Sequence, residues 1–269
     1  SGWRPIAVPG SWTMQGFGKP HYTNVQMPFP NTPPDVPDDN PTGVYRRMFS
    51  VPSDWDGRRV ILHIAGCEGA LYVYVNGEPV GMSKDARTPA EFDLSARVRL
   101  GADAQNELVC VVTRWSDASF IEDQDHWWHS GIMREVFVYS TARPQLQDLY
   151  ARSELSADFT SAKLKLTLHV GFPGEAYRDG HSVEAQLYDA AGKPVFDKPL
   201  ASPCLPPLSP NPWENTGPRT KVELAATVKA PALWSHETPN LYTIVVTLKG
   251  PSGDDIHATR FGFRRVEIK

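Results

Sequence analysis

Proline constrains this chain more than any other residue. There are 25 among 269 residues, and each fixes φ near −65° and removes a backbone donor, which breaks helix interiors and excludes it from central sheet positions. Six lie between Pro28 and Pro41 and seven between Pro199 and Pro218. With 41% hydrophobic and 10% aromatic residues the rest of the chain has ample material for packed cores, so it reads as strands joined by structured loops. The length suits two domains. An eight-stranded α/β barrel typically occupies about 250 residues by itself, which leaves no room for one beside anything else.

Charge and hydropathy exclude several classes of partner. The net charge is −4, and the 27 Lys and Arg are scattered rather than gathered into a stripe, so no nucleic-acid footprint is expected. No apolar run approaches the roughly 18 residues of a membrane span. The chain opens Ser1-Gly2-Trp3-Arg4-Pro5, with neither an initiator Met nor a signal-peptide pattern, as though preceding residues had been cut away. Cys67, Cys110 and Cys204 form no close pair. The first two fall in apolar strand-like runs and are expected to pack as small hydrophobes, a usage that fits a reducing, cytoplasmic compartment.

Alternation assigns strands almost everywhere. Arg59 to Ile64 and Leu71 to Val75 are apolar strands, and the second runs into Asn76-Gly77, the strongest short hairpin signal, with a return strand from Pro79. Leu108 to Val112 and Ile132 to Tyr139 read as central strands of a two-sheet core. A single helical turn is expected at Thr88 to Leu94, where Pro89 suits a first turn. The pattern changes near Ala142-Arg143-Pro144. Beyond it Lys163 to Val170, Val183 to Leu187, Val222 to Val228, Leu241 to Leu248 and His257 to Ile268 are strands, with a turn at Ala190 to Lys193. Some seven strands in this second half match an immunoglobulin-like sandwich without the paired cysteines of antibody domains. Of the two proline-rich segments, the first is expected to build surface, because polar and aromatic residues bracket it. The second reads as a long inter-strand loop.

The densest chemistry lies between Arg114 and Gly131, which holds Asp117, Glu122, Asp123 and Asp125, three tryptophans, and His126 and His129. Carboxylates this close repel unless cations, arginines or backbone donors compensate. Tryptophan faces stack on the apolar faces of sugar rings while carboxylates and amides bind hydroxyls, so a sugar site is the sharp expectation; solvated acids over core tryptophans are the plain one. The two histidines, three apart, would share a helical face as metal ligands, with no third ligand at matching spacing. A second polar group, His21 to Gln26, places Asn24 and Gln26 on one side of an extended chain.

These segments resemble a known family. "VPGSWTMQGFGKPHYTNVQMPFP", "NPTGVYRRMFSVP", "YVNGEPVGMSKDARTPAEFDLS", "RWSDASFIEDQDHWWHSGIMREV", "LWSHETPNLYTIVVTL" and "RFGFRRVEIK" look like the first part of a glycoside hydrolase family 2 enzyme, and "TNVQMP", "NPTG" and "EDQD" point to bacterial β-galactosidases. The resemblance implies an all-β chain: a jelly-roll sugar-binding sandwich over 1–142 and an immunoglobulin-like sandwich over 143–269. It implies a parent enzyme that is a retaining glycosidase on terminal β-D-galactosides, with both catalytic glutamates in a barrel beyond Lys269, so that the chain alone is inactive. A free-standing carbohydrate-binding module, or part of a β-glucuronidase or β-mannosidase, is the alternative. By resemblance Asn24 reaches the galactose, Asp125 contacts the sugar and shares a sodium ion with barrel residues, and Trp127 stands close behind it. Asp117 matches a carboxylate near a peripheral magnesium, but Lys84 stands where those members carry an amide, and an ammonium cannot ligate Mg²⁺. The implied partners are a galactoside, the catalytic barrel and further copies of the chain, with no nucleic acid and no membrane.

Overall fold

The computed structural model describes residues 2–24, 26–173, 180–206, 219–251 and 253–267. The chain divides into two compact units, Ser1–Thr141 and Ala142–Lys269.

The described residues of unit 1 form eleven strands: β1 (His21–Thr23), β2 (Thr42–Val51), β3 (Arg59–Ile64), β4 (Cys67–Glu68), β5 (Ala70–Val75), β6 (Glu78–Ser83), β7 (Ala90–Asp93), β8 (Gly101–Thr113), β9 (His126–Trp128), β10 (Gly131–Ile132) and β11 (Val136–Thr141). Two antiparallel sheets, ordered β2-β8-β5-β6 and β11-β3-β7, form the jelly-roll sandwich. Their inner faces follow from period-2 alternation. Val60, Leu62 and Ile64 of β3 share one buried cluster with Leu71, Val73 and Val75 of β5 and with Leu108, Cys110 and Val112 of β8. Asn76 and Gly77 both have positive φ, 53° and 85°, the geometry a twisted two-residue hairpin needs. Cys67 and Cys110 are free, buried thiols, as small hydrophobes should be.

Two expectations fail here. Ile132 to Tyr139 is not one central strand but is split between β10 and β11, and β11 is an edge of its sheet. Thr88 to Leu94 is not a helical turn, because Ala90–Asp93 pairs with β3, with Phe92 opposite Leu62. Burying Phe92 in the sandwich core outweighs the weak helical preference signalled by Pro89. A short helix does form elsewhere, α1 (Asp117–Ile121), capped by Ser116 in a reciprocal box with Ser119.

Unit 2 contains β12 (Gln145–Leu155), β13 (Ser161–Gly171), β14 (Ser182–Tyr188), β15 (Leu200–Pro203), β16 (Arg219–Lys229), β17 (Tyr242–Lys249) and β18 (Asp255–Phe261). They form antiparallel sheets ordered β12-β13-β16 and β15-β14-β17-β18, an immunoglobulin-like sandwich. Leu164, Leu166, Leu168 and Val170 of β13 meet Val183, Ala185 and Leu187 of β14 and Ile244, Val246 and Leu248 of β17 in one core. The expected last strand is cut short: β18 stops at Phe261, Phe263 makes an isolated bridge with Leu233, and Val266 is 80% exposed. Of the second proline-rich segment, Leu200–Pro203 pairs with β14; residues 207–218 lie outside the described residues, as does Ile268.

Candidate sugar site

The site is assembled at one end of a two-stranded ladder. β1 and β9 are antiparallel, with His21 opposite Trp128, Tyr22 opposite Trp127 and Thr23 opposite His126. Opposed residues share a face. Tyr22 and Trp127 therefore stand together on the open side, with ring centroids 5.5 Å apart and exposures of 50% and 55%. On the other side Trp128 is buried, and its indole N–H donates to Thr23 Oγ1 at 2.7 Å. Asn24 directly follows Thr23 and Asp125 directly precedes His126, so both leave the same end of the ladder. The Tyr22 hydroxyl donates to Asp125 Oδ1 at 2.7 Å, and this bond to a carboxylate raises the Tyr22 pKa. Asn24, Gln26 and Asp125 are exposed. The arrangement puts an exposed aromatic ring and a carboxylate on one face, with an exposed amide next in sequence at the same end of the ladder, the residue types that a pyranose ring and its hydroxyls call for.

Its support comes from residues buried behind it. Arg114, 8% exposed, follows β8 and donates through Nη1 to Lys19 O at 3.1 Å and through Nη2 to Trp128 O at 3.0 Å. One guanidinium thus ties the approach to β1 to the end of β9, with its carbon 4.8 Å from the Trp115 ring centroid. Burial lowers its pKa, and Glu68 opposes that shift. Glu68, 7% exposed on β4, accepts the His129 backbone N–H at 2.7 Å and pins the chain as it leaves β9. Burial raises the Glu68 pKa above the usual carboxylate range. Asn40 closes the first proline-rich segment by donating to Trp115 O at 2.8 Å and accepting from Trp115 N–H at 2.9 Å. Phe29 packs edge-on against Trp115 and Phe120. That segment is therefore built surface.

The acidic cluster resolves into separate environments. Asp117 pairs with Lys84 at 2.6 Å, Glu122 Oε1 accepts the Ala86 N–H at 2.8 Å, and Asp125 takes Tyr22; Asp123 Oδ1 is buried without a hydrogen-bond partner. Two of the three tryptophans, Trp115 and Trp128, are core, and only Trp127 faces outward. The two histidines do not share a helical face. His126 lies in β9 and its ring nitrogens face Trp127 O and Glu122 O, whereas His129 Nδ1 is 2.8 Å from Thr13 Oγ1. Arg114 and Glu68 were the residues that sequence reasoning did not assign. Their signal was a single charge within or ending an otherwise apolar run, which must find a buried partner if it is buried at all.

Both units match known proteins. Residues 2–142 match the model of the glycosyl hydrolases family 2 sugar binding domain, and residues 145–264 match a second glycosyl hydrolases family 2 model. The chain belongs to glycosyl hydrolase family 2. It is 38% identical over 271 residues to a β-galactosidase of Psychromonas ingrahamii, covering all of this chain and 25% of that protein, and 38% identical over 270 residues to one of Vibrio cholerae, with the same coverage. The chain thus spans about a quarter of the length of these family 2 relatives. Two solved structures share the fold: a family 2 member of Bacteroides cellulosilyticus, with 20% identity, TM-score 0.71 and coverage of 97% of this chain and 32% of that one, and β-glucuronidase 2 of Bacteroides uniformis, with 20% identity, TM-score 0.71 and coverage of 98% and 29%.

The ions that the family resemblance implies meet unequal surroundings. Asp117 faces the Lys84 ammonium, whose bond holds the carboxyl below its usual range; an ammonium offers only donors, so this position does not fit magnesium. Asp125 is an exposed hard carboxylate, which suits sodium as one ligand of a larger set. Among the described residues no three His, Cys, Asp or Glu side chains form a metal cluster.

Proposed function

We propose that this chain forms one wall of the sugar subsite in a retaining β-galactosidase acting on terminal β-D-galactosides. The observation that carries this reading is the meeting of Tyr22 with Trp127 and with Asp125 on the open face of the β1–β9 ladder, with Asn24 following Thr23 in sequence. Trp127 would offer its exposed face to the apolar face of the sugar. Asp125 would accept hydroxyl hydrogen bonds, and the Tyr22 hydroxyl sets its orientation. Asn24 would supply an amide donor and acceptor. The names of the curated relatives support the galactoside.

The reaction needs two carboxylates about 5–5.5 Å apart, one nucleophile and one acid/base. In this reading a barrel outside these 269 residues supplies them, and the present residues bind and orient. Asp125 would supply one ligand to sodium where the ion binds, and the ion would supply positive charge beside the sugar hydroxyls; the Lys84–Asp117 pair takes the place of a magnesium ligand. Buried thiols at Cys67 and Cys110 support a reducing, cytoplasmic location. Association between copies of the parent belongs to the same reading.

Two measurements test it. The 269-residue chain should give no hydrolysis of a chromogenic β-galactoside above a buffer blank, and calorimetry should show weak galactose binding at most, because a half-site provides few of the contacts an enclosed pocket makes. Micromolar affinity would favour a free-standing binding module instead. In the complete enzyme Asp125→Ala should impair turnover and blunt the sodium response together; unchanged kinetics with unchanged sodium dependence sinks the assigned role.

A further inference from the structure

The immunoglobulin-like unit carries a basic concavity that the sugar site does not use. It encloses about 400 Å³ and is lined by Arg152, Trp234, Arg260 and Arg264. Arg152 comes from β12 and Arg260 from β18, each an edge strand of its sheet. None of these three guanidiniums has a salt bridge among the described residues. The two acids that Arg152 influences, Glu154 and Glu223, are themselves paired with Lys165 and Lys221.

The aromatic member is held in place. Trp234 donates its backbone N–H to Phe263 O at 2.9 Å. Its side chain lies so close to Gly262 that a Cβ there would stand 2.8 Å from the Trp234 Cβ. Arg264 lies over the indole, with its guanidinium carbon 5.0 Å from the ring centroid. Three like charges around one concavity repel one another, and an anion seated among them relieves that repulsion. The arginines are exposed and the concavity borders two sheet edges. A small anion would therefore stay largely solvated there, whereas several carboxylates on one polypeptide can engage separate guanidinium forks at once. Arginine and tryptophan are also the residue types that most often anchor protein interfaces.

We propose that the Arg152–Arg260–Arg264 concavity, with Trp234 as its apolar anchor, docks an acidic polypeptide segment. The test uses the full chain titrated with a capped hexaglutamate peptide, followed by calorimetry and by the NMR signal of the Trp234 indole N–H. Capped hexaglutamine and inorganic phosphate serve as comparison ligands. Saturable binding of hexaglutamate that moves the Trp234 signal is expected. The double variant Arg152→Glu/Arg260→Glu should weaken binding at least about tenfold. Lys193→Glu/Lys229→Glu, the same charge change at exposed lysines of this unit, should leave it intact. Gly262→Ala should weaken it by displacing the indole without altering charge. No saturable binding, or equal loss in the lysine variant, overturns the site. Equal saturation by phosphate with the same arginine dependence overturns the polypeptide in favour of a small anion. Self-association of the chain abolished by the arginine substitutions assigns the surface to a second copy instead.

Discussion

Replacing Arg114 tests whether the sugar-facing ladder is held from behind. The guanidinium donates to Lys19 O at 3.1 Å and Trp128 O at 3.0 Å, and a hydrogen bond from a charged donor contributes about 1.5–3 kcal/mol. Two such bonds bound the effect at about 3–6 kcal/mol, and the cost of burying the charge, visible in the lowered Arg114 pKa, brings it to the lower end. A loss of about 3 kcal/mol is expected for Arg114→Ala, in line with breaking one side of a buried charged network. β1 and β9 share only three pairs, so the loss should fall first on that ladder. Amide exchange in β1 and β9 should accelerate by roughly two orders of magnitude, since about 1.4 kcal/mol is tenfold, while the β3, β5 and β8 amides keep more of their protection. Arg114→Lys retains the charge, but one ammonium cannot bridge two carbonyls as a fork does, and an intermediate acceleration should result. If the β1 and β9 amides of Arg114→Ala exchange as in the unaltered chain, Arg114 is not what holds the ladder.

Other substitutions probe the same region and the second core. The Tyr22 pKa is raised chiefly by its bond to Asp125, so Asp125→Asn should lower the Tyr22 titration midpoint toward that of an ordinary tyrosine, as read from its ring NMR signals; a midpoint that does not fall shows that the bond is absent in solution. Because burial raises the Glu68 pKa, ionising Glu68 costs stability as pH rises from the ordinary carboxylate pKa through the folded one. Glu68→Gln keeps an acceptor for the His129 N–H and avoids that cost, so its stability relative to the unaltered chain, measured by urea unfolding, should improve between pH 4 and pH 8; a constant difference refutes the shift. Leu166, 2% exposed in unit 2, should cost about 2–5 kcal/mol when replaced by Ala, seen as faster exchange of the β13 and β17 amides, and a loss below about 1 kcal/mol would mean that this core collapses around the gap.

Much of the architecture was legible because strand alternation is a local signal. Leu164, Leu166, Leu168 and Val170 announce the buried face of β13 by themselves, and Asn76-Gly77 announces its hairpin, since in each case the residues that carry the signal also adopt the conformation. Thr88 to Leu94 misled for the opposite reason. Pro89 reports only its own φ, whereas the strand there exists because Phe92 finds Leu62 across the ladder. The end of β18 was overextended because the apolar residues of Phe263 to Ile268 do not show in advance that Val266 lies in solvent.

The sequence by itself determined the class of fold, the family, and the residue types a sugar site would draw on, because proline placement, alternation and long ordered motifs are properties of the chain as written. Only the tertiary structure decided which of those residues meet. It sent Trp115 and Trp128 inward and Trp127 outward, joined Tyr22 to Asp125 across 103 positions of sequence, gave Asp117 to Lys84, and set Arg114 and Glu68 behind the ladder. The pairing register of β1 with β9 and the burial of a charge both depend on partners far away in the chain, and no local pattern encodes the identity of a distant partner.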